Sequence, residues 1–129
     1  MNKVMLIGNL GKPAEVKSSN GTTFCRISIA TNEKWKDNSG NRQERTDWHT
    51  VVAFGPLAKS LEILDRGDRV AVVGKLRTSK YVKDGEPRWS VEVHAEEVEF
   101  LKLRAWREEG EDAGYESDPI APNENDITF

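Results

Sequence analysis

The run from Thr46 to Gly55, Thr-Asp-Trp-His-Thr-Val-Val-Ala-Phe-Gly, constrains the fold more than any other stretch of the chain. β-Branched and aromatic residues dominate it and Gly55-Pro56 closes it, so it reads as a strand. Side chains alternate across a strand. Trp48, Thr50, Val52 and Phe54 therefore share one face, and His49, Val51 and Ala53 share the other. An aromatic pair in a strand serves a core as readily as a binding surface. Both faces are apolar here, however, and a small barrel needs only one of them to fill its interior. The spare face, with two rings roughly 20 Å apart at ordinary strand rise, suits a flat partner, and a nucleobase is the expectation.

With 129 residues the chain can form one domain with a proper core plus a tail. No apolar run approaches the roughly 20 residues needed to span a membrane. The start, Met1-Asn2-Lys3-Val4-Met5-Leu6-Ile7-Gly8, is too short and too soon interrupted for a secretory signal, and reads as a first strand. Cys25 is the only cysteine, which rules out an internal disulfide and favours a cytoplasmic setting. In its strand, between Phe24 and Ile27, it reads as buried filler rather than a reactive thiol.

The net charge of −3 is unevenly divided. Residues 1–104 hold 18 Lys+Arg against 14 Asp+Glu, a net +4, whereas residues 105–129 hold one Arg against eight acids, a net −7. A mildly basic body thus carries a strongly acidic tail.

Strand signals follow in order. Lys3 to Leu10 is the first, ended by Gly11 and Pro13. Ser18-Ser19-Asn20-Gly21 is a hairpin-type turn. Thr23 to Thr31 comes next, with Cys25, Ile27 and Ile29 on one face and Phe24, Arg26, Ser28 and Ala30 on the other. Asn32 to Arg45 reads as a long polar loop or extended hairpin that sets Trp35 among Lys34, Lys36, Arg42 and Arg45. After the Thr46–Phe54 strand, Pro56 opens a helix with Leu57, Leu61 and Leu64 on one side and Gly67 at its end, a plug for one end of a barrel. Asp68 to Arg77 is the next strand: Val70, Val72 and Leu76 point one way, Arg69, Lys75 and Arg77 the other. Gly74 marks a bend or bulge within it. Ser79 to Arg88 is a basic loop with Tyr81 beside Lys80 and Lys83, turning at Asp84-Gly85. In the last strand, Trp89 to Leu101, the apolar phase moves from Trp89, Val91, Val93 and Ala95 to Val98 and Phe100, so a bulge falls near Glu96. His94, in phase with Glu92 and Glu96, reads as solvent-facing. Three strands, a short helix and two strands make an all-β, five-stranded Greek-key barrel of the oligonucleotide-binding type. That domain spans residues 1–104. Residues 105–129 have nothing to bury and read as a disordered acidic tail. Its apolar end, Ile127 and Phe129, suggests a docking peptide in which the terminal ring, its carboxylate and nearby acids are read together.

Several of these stretches resemble one family. Asn2-Lys3-Val4 through Leu6-Ile7-Gly8-Asn9-Leu10-Gly11 is similar to the opening strand of bacterial single-stranded DNA-binding proteins. Ala30-Thr31 through Trp35, Thr46-Asp47-Trp48-His49 with Val51-Val52 and Phe54-Gly55, and Gly74-Lys75-Leu76-Arg77-Thr78 follow in the family's order. The last residues resemble its acidic terminus. The likeness covers about residues 2–103 and the tip. It implies an oligonucleotide-binding barrel, assembled as a homotetramer, with single strands wrapped over its surface. It implies base stacking at Trp35, Trp48 and Phe54, and at Tyr81 where the family commonly has Trp, with Trp89 as an additional candidate that alternation places equally in a core or interface. It implies phosphate contacts at Lys36, Arg69, Arg77 and Lys80, together with Lys3 and Arg45, and a subunit-interface role for His49. Asp126, Ile127, Thr128 and Phe129 would dock replication and repair enzymes. Two features depart from the family: the Gly-, Gln- or Pro-rich linker is nearly absent, and the tip lacks two acids and a Pro.

Nothing in the sequence has the spacing of a metal site, a phosphate loop or an activated nucleophile, so neither an enzyme nor a cofactor is expected. The expected function is sequence-independent coating and protection of single-stranded DNA in replication, recombination and repair, in a cytoplasmic, nucleoid-associated setting. The competing readings are an accessory interaction barrel of the primosome type that binds DNA weakly, and an RNA-binding barrel, since stacking does not distinguish sugars.

Overall fold

The computed structural model describes residues 1–104, in which the chain runs β1 (Val4–Leu10), β2 (Glu15–Ser19), β3 (Thr22–Lys36), β4 (Arg42–Phe54), α1 (Gly55–Ser60), β5 (Arg69–Lys83) and β6 (Glu86–Lys102). The sheet order is β1-β5-β6-β4-β3-β2, and an additional β1–β3 pairing closes it. β1 and β2 both run antiparallel to β3, β1 through Leu10↔Ile29 and β2 through Glu15↔Arg26, so they are two halves of one interrupted strand. The result is a closed five-stranded barrel. β2 is absent from the sequence reading because Glu-Val-Lys-Ser-Ser offers a single apolar residue from which to read a period. The turn after it was legible: Asn20 and Gly21 both take positive φ, 52° and 80°, as the hairpin connection requires.

The interior is built from the expected face of each strand. Cys25, Ile27 and Ile29 of β3, Val51 and Ala53 of β4, Val70 and Val72 of β5 and Val93 of β6 are all buried in one cluster. Cys25 is fully enclosed, and burial pushes its thiol pKa up. In β4 Val51 and Ala53 face the core as expected and Trp48 and Phe54 are about half exposed on the outer side, but Val52 of that outer face is buried between Arg26 of β3 and His94 of β6.

Three expectations are corrected by where the barrel stops. The first concerns the loops read at Asn32–Arg45 and Ser79–Arg88. These are instead the continuing strands of two long hairpins, paired out to Lys36↔Arg42 and Lys83↔Glu86. The second concerns Leu76, Trp89 and Val91. They keep the inward phase, since Leu76 pairs with buried Val93, but they lie beyond the rim and are exposed. The third is the helix, which ends at Ser60. Beyond it the backbone tightens into i→i−3 bonds, Leu61 N–H to Ala58 O at 3.1 Å and Leu64 N–H to Leu61 O at 3.0 Å. Leu61 and Leu64 are still buried, so the plug survives the change of helix type.

The bulge near Glu96 falls where the sequence placed it, and a second, unexpected one leaves Leu101 unpaired between Arg69↔Lys102 and Val70↔Phe100. Val73 pairs with Glu97 and Gly74 with Ala95, leaving Glu96 as the extra residue on β6. A Cβ on Gly74 would lie 2.2 Å from the His94 carbonyl oxygen, so nothing larger than glycine fits the bend. At the α1 end, buried Asp68 accepts the N–H of Asp65 at 2.8 Å and of Arg104 at 2.7 Å, tying the end of β6 to the β5 entry. Burial raises its carboxyl pKa above the ordinary value, against the opposing pull of those N–H groups.

Candidate nucleic-acid interface

Pairing register decides which of the candidate side chains share a surface. Cross-strand partners lie on the same face of a sheet. Arg26 pairs with Val52, Val52 with His94 and His94 with Lys75, so one row crosses β3, β4, β6 and β5 on the outer side. Trp48 and Phe54 are in phase with Val52, and Tyr81 is in phase with Lys75. Trp48, Phe54 and Tyr81, each about half exposed, thus stand on one continuous outer face. Trp35 and Trp89 have the opposite parity, Trp35 five residues beyond the partner of Trp48 and Trp89 five residues before His94. They occupy the other side of the two hairpin arms.

Each ring is held differently. The Trp48 indole lies over Gly11, where an added Cβ would come within 2.5 Å of its Cη2 and Cζ3 atoms. Phe54 sits between Phe24, at 6.4 Å between centroids, and His94, at 5.5 Å and edge-on. Trp35 lines an open cleft of ≈ 340 Å³ with Lys34, Lys36, Arg42, Gln43 and Glu44 at the end of the β3–β4 arm. Lys80 Nζ lies 5.6 Å from the Trp89 ring centroid, across the β5–β6 arm. His94 departs from its solvent-facing reading: it is half-buried, against Phe54 and 3.3 Å from Glu92. That neighbour comes from another strand, so alternation along β6 carries no sign of it.

The basic residues divide into engaged and unengaged. Among the described residues Lys36 and Arg77 make no ion pair. Arg45 Nε donates to Asp47 Oδ1 at 3.0 Å. Lys3 is bonded to Glu96, which also faces Lys75 at 3.8 Å; the Lys3 bond is the main cause holding the Glu96 carboxyl below its usual pKa. Arg69 donates to Asn9 Oδ1 at 2.8 Å, and the pairings Arg69↔Asn9, Asn9↔Ala30 and Ala30↔Trp48 set it on the same outer row as Trp48, with β1 and β3 between them. His49 hydrogen-bonds through Nε2 to the Thr31 hydroxyl at 2.8 Å. At the β3–β4 tip, Asp37 accepts from the Ser39 and Asn41 N–H groups, both at 2.9 Å, and from the Gln43 amide at 3.0 Å. The bond from Asn41 is the largest cause lowering its pKa. The docking residues Asp126, Ile127, Thr128 and Phe129 lie outside the described residues.

No cluster of His, Cys, Asp or Glu among the described residues could hold a metal ion, and no described helix is long and apolar enough to cross a membrane. The arrangement is one of surfaces: rings to stack on, with cations beside them. A closed five-stranded barrel with a short helix between its third and fourth strands and exposed rings on one face is an oligonucleotide-binding fold. The match to known proteins is specific within that class. The Single-strand binding protein family matches residues 1–101, and the chain belongs to it. Over 105 residues it is 40% identical to "Single-stranded DNA-binding protein 1" of Xylella fastidiosa, covering 78% of this chain and 77% of that one. Over 104 residues it is 43% identical to a single-stranded DNA-binding protein of Xanthomonas campestris, 78% of this chain but 60% of the relative. Among solved structures, the Plasmodium falciparum SSB in complex with ssDNA superposes with a TM-score of 0.73 at 33% identity, covering 79% of this chain and 96% of that one.

Proposed function

We propose that the protein binds single-stranded DNA without regard to sequence, coats and protects it in replication, recombination and repair, and performs no catalysis. The observation that carries this reading is the outer face on which Trp48, Phe54 and Tyr81 stand half exposed, with the unpaired Arg77 in phase beside them. Every base has a π-face, and stacking one on an aromatic ring is worth about 1–3 kcal/mol whatever its identity, a magnitude established on single-strand-binding barrels of this kind. Lys36, Arg77 and Lys80 follow the phosphates, whereas Lys3, Arg45 and Arg69 must first leave the partners that hold them. Trp35 and Trp89 receive the strand as it passes round the arms.

Residues 1–104 are the DNA-binding domain and residues 105–129 an acidic tail whose tip, Asp126 to Phe129, recruits replication and repair enzymes. The tail, at −7, also competes for the basic face when DNA is absent. The protein works as a homotetramer in the cytoplasm, near the nucleoid. Exposed Met5 and Ile7 on β1 and the half-buried His49 support subunit contacts. Intrinsic tryptophan fluorescence tests the central reading. Titration with oligo-dT is expected to quench strongly, with the midpoint moving slowly with salt, and duplex of equal length is expected to have little effect. Equal response to duplex, or little quenching by either, would favour the accessory interaction barrel instead.

A further inference from the structure

Phe54 is not an isolated ring. Phe24 pairs with it in register from β3, and His94 meets it edge-on from β6, so three rings stand side by side across three strands. Phe24 and His94 are half-buried, and each tilts against Phe54, by 43° and 60°. Beside them runs the row Arg26, Val52, His94 and Lys75. The charged groups around His94 can all be named. Glu92, two residues away on its own strand, lies 3.3 Å from both His94 Nε2 and Arg26 Nη2. Lys75 is the cross-strand partner on β5, and Arg77 is the partner of Glu92. Glu96 of β6 is taken up by Lys3 and Lys75, β4 offers only Val52, and β2 sets Glu15 opposite Arg26 and Lys17 opposite Phe24.

Resting on the single-strand-binding reading, we propose that Phe24, Phe54 and His94 form one nucleobase subsite, in which protonation of His94 strengthens DNA binding. Neither Phe24 nor His94 was reached from the sequence. A base stacked on Phe54 would have its edges over the two flanking rings, which widen the platform and fix the angle of the central ring. Histidine changes charge within the range of about pH 5–8. With His94 neutral, the single charge of Glu92 is shared with Arg26. With His94 protonated, Glu92 is shared by two cations and the row, which ends at Glu15 opposite Arg26, gains one positive charge toward the backbone of the DNA. Affinity therefore rises as the pH falls.

The test compares the full-length wild type, His94→Val and His94→Phe for binding oligo-dT, whose bases do not titrate in this range, at about pH 8 and about pH 6. Wild type is expected to bind at least about threefold tighter at the lower pH. His94→Val is expected to bind about fivefold more weakly than wild type at pH 6 and to lose the pH response. His94→Phe keeps a flanking ring and should bind more tightly than His94→Val while staying flat with pH, and because His49 is intact in both variants, the lost response is assigned to His94. Phe24→Leu keeps apolar bulk without the ring and should weaken binding similarly, a second route should His94→Val misfold. Wild-type affinity in His94→Val at both pH values, or a His94→Phe as weak as His94→Val, would overturn the subsite. A pH-independent wild type would overturn the role of protonation. Failure of the wild type to prefer oligo-dT to duplex would overturn the proposed function itself, a different result.

Discussion

Replacing Gly11 by alanine should weaken DNA binding while leaving the fold intact. Gly11 has no left-handed φ, so alanine can adopt its backbone conformation, and its N–H still donates to the Ser28 carbonyl at 3.1 Å. The new methyl, however, would sit 2.5 Å from both Cη2 and Cζ3 of Trp48. Carbon atoms settle about 3.5–4.0 Å apart, so the indole must move by about 1–1.5 Å. Trp48 is half exposed and can yield outward without disturbing the core, which limits the stability cost to below about 1 kcal/mol. A displaced ring that forfeits a third to a half of a stacking term of about 1–3 kcal/mol weakens binding by about 2–10-fold. The assay is oligo-dT titration followed by tryptophan quenching, with thermal unfolding measured in parallel. In a Trp48→Ala background the same substitution should be silent, because the only route proposed for its effect has been removed. Unchanged affinity in Gly11→Ala with the ring present, or an equal loss with the ring absent, would refute the claim that Gly11 seats Trp48.

Other perturbations follow from the same geometry. Ile29→Ala, in the fully buried core, should cost about 2–5 kcal/mol and lower the unfolding temperature by calorimetry. Asp68→Ala strands two part-buried N–H groups and should cost about 1–3 kcal/mol by urea unfolding, with Asp68→Asn, which accepts with one oxygen, in between. The Asp68 pKa is raised by folding, so its contribution to stability is fully present below the unfolded value and is lost as pH rises through the folded one. The deficit of Asp68→Asn should accordingly grow as the pH falls from neutrality. Asp37 has the opposite sign: its pKa is lowered, so its support of the β3–β4 tip is present above the unfolded value and lost as pH falls through the folded one. Proteolysis at Asn38–Asn41 should accelerate in Asp37→Ala at neutral pH, and in the wild type only on strong acidification.

What could be read from the sequence was whatever the barrel interior imposes. β4 revealed itself through two apolar faces, and the bulge at Glu96 through a slip in apolar phase that only an extra residue produces. The paired extent of the hairpin arms was hidden for a complementary reason. Beyond the rim, β3–β4 and β5–β6 form two-stranded ribbons exposed on both sides, so polar and apolar residues follow no period and the strands look like loops. Leu76, Trp89 and Val91 show the limit from the other side: alternation gave their phase correctly, but phase does not say where the rim lies.

The candidate surface divides along the same line. Exposed rings were legible because a large aromatic in a polar segment, or on a spare strand face, has no core to enter. Their grouping was not, because it depends on register between distant strands: Trp48, Phe54 and Tyr81 share a face, and Trp35 and Trp89 share the reverse of the arms. His94 is the sharpest instance. Along β6 it falls in phase with two acids and reads as a solvated side chain, yet the parallel pairing of Val52 with His94 sets it against Phe54. Local alternation reports one strand's inside and outside. Only closure of the barrel decides which outside residues meet, and on this surface those meetings turn a scatter of exposed rings and charges into one continuous face.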